Sequence, residues 1–180
     1  EGFLADHAYE VSGKSVLDIG ASTGGFTDCL LQRGAREVTC VDVGHNQMHP
    51  KVAGDDRVTN LEGVNARDLG KAELPRSCYD WVVMDLSFIS LRKVLEPAWA
   101  RLKPEGVLVA LVKPQFEAER KEVDAGRGVI RDDSVRFRVF ETIRSFIEER
   151  LDRARILGWA ESMVSGTDGN REFLIAVRRE

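Results

Sequence analysis

Three groups of residues in this sequence have types and spacings suited to chemistry. The first is DIGASTGGF, residues 18–26, where the apolar run SVLDIG leads into three glycines and three small residues. Glycines let a ligand approach the backbone, and the N-terminus of a following helix offers unpaired N–H groups to an anion. A phosphate-binding loop would close with Lys followed by Ser or Thr, and Phe26-Thr27 stands there instead. The dinucleotide pattern G-x-G-x-x-G does not match Gly20, Ala21, Ser22, Thr23, Gly24 and Gly25. Asp18, two residues before the first glycine, would repel a pyrophosphate but can receive an ammonium group. S-adenosylmethionine carries that ammonium, a carboxylate for the helix N–H groups, and a sulfonium charge that favours nearby anions. The pattern therefore predicts this cofactor, cradled from Asp18 through Phe26.

The second group confirms a nucleoside without naming it. Asp42, followed by Val43, ends an apolar run 24 residues after Asp18. An acid there can accept both ribose hydroxyls, and NAD and S-adenosylmethionine both present them. Asn65 and Ala66, in NARD, are placed to read an adenine edge. The competing reading is a tight strand-to-helix turn that holds no ligand. Asp18, the glycines and Asp42 together favour the methyl donor.

In the third group, Asp85 closes WVVMD, Lys113 closes VLVALVK, and Glu172 opens the last predicted strand in GNREFLIAV. A lone Asp or Lys at a strand end is usually a cap or a solvated tip. Here Asp85 and Lys113 interrupt strongly apolar runs beside the expected cofactor, which reverses that expectation. A lysine between two carboxylates suits methylation of a hydroxyl. Lys113 would orient the oxygen and stabilise developing alkoxide charge, while Asp85 and Glu172 hold the ammonium and tune its pKa. A neutral lysine acting as the base is the alternative.

These groups need a scaffold, and the chain alternates strand and helix patterns. Strands are predicted at 14–20, 37–44, 58–65, 79–87 and 106–114, with helices at 25–33 and 91–102, the second ended by Lys103-Pro104-Glu105-Gly106. Residues 45–56 suggest only a turn or a short helix. An 18-residue polar stretch, 115–132, reads as a long loop. Val139, Phe140, Ile143, Phe146, Ile147 and Leu151 then recur at helical spacing behind Asp132 or Asp133 as N-cap. Two strands around the turn GTDGN, residues 166–170, finish the pattern. Such an order predicts an α/β fold: a doubly wound, mostly parallel sheet with a C-terminal antiparallel hairpin.

At 180 residues and 43% hydrophobic, the chain suits one domain with a full core. It lacks both an apolar run of about 20 residues and a signal-peptide pattern. Cys29, Cys40 and Cys78 have no metal-ligand or redox spacing, so reduced thiols in a cytoplasmic protein are expected. The formal net charge is -4, whereas an isolated nucleic-acid binder usually carries a basic surplus. A nucleic-acid substrate would require a local basic face or a further domain. The start at Glu1 without methionine suggests a fragment of something longer.

LDIGASTGGFTDCLLQRGA, VDVG, NARDL, DLSFISL, LVKPQFE and GNREF, in this order and spacing, resemble the TlyA-type (hemolysin-like) rRNA methyltransferases, which belong with the FtsJ-like 2'-O-methyltransferases. The resemblance runs from about Val16 to the last residue. It implies a Rossmann-like methyltransferase domain over residues 1–180, S-adenosylmethionine as donor, and ribose 2'-hydroxyls of ribosomal RNA as acceptors. It implies ribosomal RNA or a ribosomal subunit as partner, and neither DNA nor a membrane. Of the Lys-Asp-Lys-Glu set of FtsJ-like enzymes, the last three fall on Asp85, Lys113 and Glu172. The first is expected before Glu1, since Lys14 lies in the turn before the first strand and does not match. The N-terminal S4-type RNA-binding domain of the family is not visible in the sequence, which accords with the acidic balance.

Under that resemblance, Arg120, Lys121, Arg127 and Arg131 in the long loop are suited to phosphates, with Gly126 and Gly128 as hinges. Phe88 and Phe116 flank the expected site and suit stacking on a target base. A solvated loop with both rings packed beneath it is the alternative. Rival functions are methyl transfer to a small molecule or protein, a nonenzymatic RNA-binding module that retains the cofactor, and a membrane-active hemolysin. The last has no span, basic amphipathic helix or secretion signal to support it.

Overall fold

The structure, a computed structural model, describes residues 2–3, 9–164, 166 and 169–180. Strands β1 (Ser15–Ile19), β2 (Glu37–Asp42), β3 (Val58–Glu62), β4 (Tyr79–Met84), β5 (Leu102–Val112), β6 (Ala154–Glu161) and β7 (Phe173–Arg179) form one sheet in the order β3-β2-β1-β4-β5-β7-β6. The first five are mutually parallel, and β7 runs antiparallel to both β5 and β6. Among the described residues the helices around the sheet are α1 (Gly25–Gln32), α2 (Pro50–Ala53), α3 (Leu95–Trp99), α4 (Pro114–Glu117), α5 (Arg120–Ala125) and α6 (Asp133–Arg150). This is the mostly parallel sheet with an antiparallel end that the sequence predicts.

Strand alternation divides the core between the two sheet faces. Leu17, Ile19, Val82, Met84, Leu108 and Ala110 pack on the side of Phe140, Ile143 and Ile147 from α6. Val16, Trp81, Val83, Val107 and Val109 pack on the other side with Leu30 and Leu31 from α1. Each Val, Leu, Ile, Phe or Met side chain among them contributes about 1.5–3 kcal/mol when fully buried. Gly34, at φ +83°, closes α1: its N–H bonds Leu31 O at 3.1 Å and the Ala35 N–H bonds Leu30 O at 3.0 Å. The cap of α6 is Asp132, whose carboxylate accepts from the Ser134 N–H at 2.8 Å.

Four expectations need correction. The helix expected over 91–102 is a 3-10 turn at Leu91–Lys93 followed by α3. Pro97 has no N–H to donate, and only the first turn of a helix tolerates that, so α3 starts close before it. Lys103-Pro104-Glu105-Gly106 lies within β5 as a bulge: Tyr79 pairs with Leu102 and Trp81 with Val107, so two steps on β4 face five on β5. Glu105 takes φ +60° there, and Lys103 Nζ bonds Asp80 Oδ1 at 2.8 Å. Residues 115–132 are no structureless loop but contain α4 and α5, the latter opened by a reciprocal capping box between Glu119 and Glu122. The expected hairpin strands are shorter, since β6 ends at Glu161 and β7 starts at Phe173. The centre of the predicted turn, 167–168, lies outside the described residues. Among the described residues, no helix is long and apolar enough to cross a membrane, and no group of His, Cys, Asp and Glu is arranged to hold a metal ion.

Candidate functional site

The parallel strands β1, β2, β4 and β5 all end at one rim, and each delivers a residue singled out above. Gly20 follows β1, Asp42 ends β2, Asp85 follows β4 and Lys113 follows β5. An open parallel sheet binds ligands beyond these carboxyl ends. A cavity of about 490 Å³ lies there, walled by Gly20, Asp42, Asn65 and Asp85 among others. That volume is in the ordinary range for a small-molecule site.

Glycine is required at position 20 for two reasons. Its φ is +84°, and a Cβ would stand 2.3 Å from the carbonyl oxygen of Asp85. Asp42 fixes the loops on either side of the cavity: Oδ2 accepts the Ser22 N–H at 2.8 Å and Oδ1 accepts the Gly44 N–H at 2.8 Å. Each carboxylate oxygen keeps a lone pair for a further donor. Val43 and Ala66 share the wall, and Asn65 caps the 3-10 turn Ala66–Asp68 by accepting the Arg67 N–H.

Asp18 requires a correction. It lies on the same strand face as Val16, the face that α1 covers, so it is wholly buried beneath the glycine loop instead of standing in the cavity wall. Thr27 of α1 donates its hydroxyl to Asp18 Oδ2 at 2.6 Å, while Oδ1 is buried without a hydrogen bond. Burial raises its carboxyl to about 7 against the pull of Thr27, and the charge of Asp85 adds to the rise. The thiol of Cys40, 3.1 Å from Thr27 Oγ1, is pushed up to about 12 by burial and by Asp18. Of the remaining loop residues, Ser22 lines the cavity, whereas Ala21, Thr23, Gly24, Gly25 and Phe26 do not.

Asp85 and Lys113 meet: Nζ stands 2.6 Å from Asp85 Oδ1 and donates to Ser87 Oγ at 3.2 Å. The lysine side chain is only 13% exposed, so this charge sits in a partly desolvated rim. Val112 pairs with Phe173, and the next step of that antiparallel register sets Lys113 beside Glu172. Glu172 is buried and accepts from Gln115 Nε2 at 2.9 Å. Burial pushes its carboxyl above the usual range, Gln115 and the charge of Lys113 pull it back, and Asp85 opposes them.

Phe88 rims the cavity, 90% exposed, and its ring centroid lies 5.0 Å from that of Phe116. Its φ of +64° is a conformation that costs a bulky side chain about 1–2 kcal/mol. Arg127, exposed and at φ +53°, makes no side-chain bond among the described residues, whereas Arg131 donates to Gly126 O at 3.2 Å. Arg120 and Lys121 are exposed and pair with Asp124 and Glu119.

Sequence reading misses several residues that build this rim. Thr27 holds Asp18, Ser87 meets Lys113, and Gln115 meets Glu172. Asn170 is buried and grips the long segment with both ends of its amide, accepting from the Ile130 N–H at 2.9 Å and donating to Gly128 O at 3.0 Å. Ser87, Gln115 and Asn170 each lie within two residues of a singled-out residue, inside the quoted segments DLSFISL, LVKPQFE and GNREF, and that is the signal the sequence offers for them.

Comparison with known proteins follows the same lines. Residues 3–179 match the family described as FtsJ-like methyltransferase. Hemolysin A of Brachyspira hyodysenteriae is 40% identical over 179 residues, 97% of this chain and 71% of that protein. The 16S/23S rRNA (cytidine-2'-O)-methyltransferase TlyA of Mycobacterium tuberculosis is 40% identical over 184 residues, 99% of this chain and 65% of that protein. A crystal structure from Lactococcus lactis, of a protein described as a candidate hemolysin, superposes with a TM-score of 0.91 at 39% identity, covering 99% of this chain and 84% of that one. The chain thus spans 71% and 65% of the length of these two curated relatives.

Proposed function

The chain belongs to the FtsJ-like methyltransferase family, and from that premise we propose that residues 1–180 form a methyltransferase domain that modifies a ribose 2'-hydroxyl of ribosomal RNA with S-adenosylmethionine as donor. The observation that carries the reading is the Asp85–Lys113 pair at the mouth of the strand-end cavity. The relative from Mycobacterium tuberculosis, named for cytidine-2'-O-methylation of rRNA, supports the acceptor class.

The residues present fit the cofactor. Gly20 stands in the cavity wall, and its missing side chain lets the Asp85 loop, which forms the facing wall, close against it. Asp42 has lone pairs for ribose hydroxyls, Asn65 and Ala66 stand where an adenine would lie, and Asp85 supplies the anion that Asp18, being buried, does not. When bound, S-adenosylmethionine supplies an electrophilic methyl group on a sulfonium.

The chain's own residues then prepare the acceptor. Lys113 Nζ, held by Asp85 and Ser87, orients the hydroxyl oxygen and stabilises the negative charge that grows on it during attack, while the hydroxyl proton is released to water. Asp85 fixes the ammonium directly, and Glu172, held by Gln115 and making no ion pair with Lys113 among the described residues, adds its charge from the β7 side of β5. Phe88 and Phe116 present ring faces to a base, and Arg127 and Arg131 present charge to phosphates. These local contacts offset the net charge of -4. A ribosomal subunit as partner, and the cytoplasm as workplace, follow from the substrate.

Calorimetric titration with S-adenosylhomocysteine tests the cofactor, with NAD and an Asp42→Ala variant alongside. Binding of S-adenosylhomocysteine alone, at least about tenfold weaker in the variant, is the expected result. Methyl transfer to ribosomal RNA by the full parent protein then tests the acceptor. Binding of NAD, or transfer to protein and not to RNA, would overturn the reading.

A further inference from the structure

The loops that leave β4 and β5 carry the two members of the Asp85–Lys113 pair, and one buried carboxylate outside that pair joins them. Glu117 ends α4, the helix that begins directly after Lys113. Its side chain is 3% exposed and reaches across to the β4 loop, accepting the Ser90 hydroxyl at 2.6 Å and the Leu91 N–H at 2.6 Å. Arg92 Nε stands 3.9 Å away, and Lys93 adds a favourable charge. The turn gripped in this way runs from Asp85 through Ser87 and Phe88 to Leu91. It includes the positive φ of Phe88, which an unbraced turn would relax. The Phe88–Phe116 ring contact spans the same two loops one layer further out.

We propose that Glu117 is a positioning residue for the acceptor nucleotide: its carboxylate locks the Ser87–Leu91 turn onto the Lys113 segment, so that the Phe88 ring and the Ser87 hydroxyl stand at fixed places relative to Lys113 Nζ. The proposal rests on the methyl-transfer reading given above. Glu117 does not itself line the strand-end cavity, but the turn it grips forms one wall of it through Leu86, Ser87, Phe88 and Ile89, opposite the wall of Gly20, Asp42 and Asn65, so its removal acts first on the acceptor side and only weakly on cofactor binding.

Glu117→Ala, Glu117→Gln and Glu117→Asp separate these effects. Gln keeps the shape and still accepts the Leu91 N–H; Asp keeps the charge but is one methylene short. In hydrogen–deuterium exchange across residues 86–92, Ala and Asp speed exchange at Leu91 by about tenfold or more, and Gln by less. Strands β1 and β2 keep wild-type protection. In steady-state methyl transfer to ribosomal RNA, Ala and Asp raise KM for RNA by about tenfold while the affinity for S-adenosylhomocysteine falls by less than about threefold, and Gln recovers most of the loss.

The proposal is overturned if Leu91 exchanges at the wild-type rate in Glu117→Ala, or if KM for RNA stays put while the turn loosens. Equal loss of S-adenosylhomocysteine binding would also sink it, because that outcome marks a general structural role. A wild-type protein that binds S-adenosylhomocysteine but transfers no methyl group to ribosomal RNA counts against the methylation reading. It removes the acceptor half of the present proposal, whereas the exchange result alone decides whether Glu117 holds the turn.

Discussion

Lys113 Nζ stands 2.6 Å from Asp85 Oδ1, although the two residues lie 28 positions apart on loops that leave neighbouring parallel strands. Parallel pairing of β4 and β5 brings both strand ends to the same rim, so this contact is built into the topology and not into any local motif.

Removing the ammonium should therefore abolish chemistry and spare binding. Lys113→Ala is expected to lower the methyl-transfer rate by about 10²–10⁴-fold, with S-adenosylhomocysteine affinity changed less than about threefold. Asp85→Asn should lower both, since Asp85 faces the cavity as well as the lysine. Single-turnover rates beside calorimetric titration separate the two variants.

Two glycines in the first loop should respond in opposite directions. Gly20→Ala meets the Asp85 carbonyl and a φ of +84°, so it should cost at least about 2 kcal/mol of stability. Gly25 opens α1, and no atom lies within 4 Å of the point where a Cβ would stand. Gly25→Ala should therefore be neutral or stabilise by up to about 1 kcal/mol. Urea midpoints give both numbers.

Asp18 makes stability depend on pH. Its carboxyl is raised to about 7 in the folded protein from an ordinary 3.8, so between these values the unfolded chain releases a proton that the folded chain keeps. Stability is fully present below about pH 4, falls as pH rises toward 7, and levels above it, for a total on the order of 4 kcal/mol. Asp18→Asn removes this slope and should be at least as stable as wild type at pH 8. Urea unfolding from pH 4.5 to 8 checks it; a variant with the wild-type slope would refute the assignment.

The three cysteines should react in two classes. Cys29 and Cys78 are half-buried, whereas Cys40 is buried and its thiol is pushed up to about 12. A thiol reagent at pH 8 should modify two sites in the native protein, with Cys40 at least about a thousandfold slower until the chain unfolds. Peptide mapping after timed quenching identifies the sites.

The alternation of strand and helix, the strand-end rim and the residues along it are legible in the sequence because they follow local periodicity and the rule that parallel sheets bind at their carboxyl ends. The facing of Asp18 is not. Its parity with Val16 is plain in the sequence, but which face α1 covers depends on how that helix docks. Pro97 looks in sequence like a blemish inside a helix, when its missing N–H sets where the helix starts. Glu117 and Asn170 fall inside the quoted segments LVKPQFE and GNREF, but their roles are hidden for another reason: their partners lie 26 to 42 residues away, and no short pattern links a carboxylate or an amide to a backbone that distant.

The sheet order has a bearing on time as well as space. β7, the last strand in sequence, lies between β5 and β6, so β6 has no place at the sheet until β7 arrives. Asp85 and Lys113 can find each other once β4 and β5 pair, but Glu172 and the Asn170 clamp on residues 128–130 come only with β7. Long-range pairings of this kind close late, after shorter loops have formed. A chain still emerging from synthesis would thus hold its cavity walls and its lysine pair while lacking the third charged member. Completion of the rim therefore waits on β7, and no copy that lacks this strand carries the whole constellation.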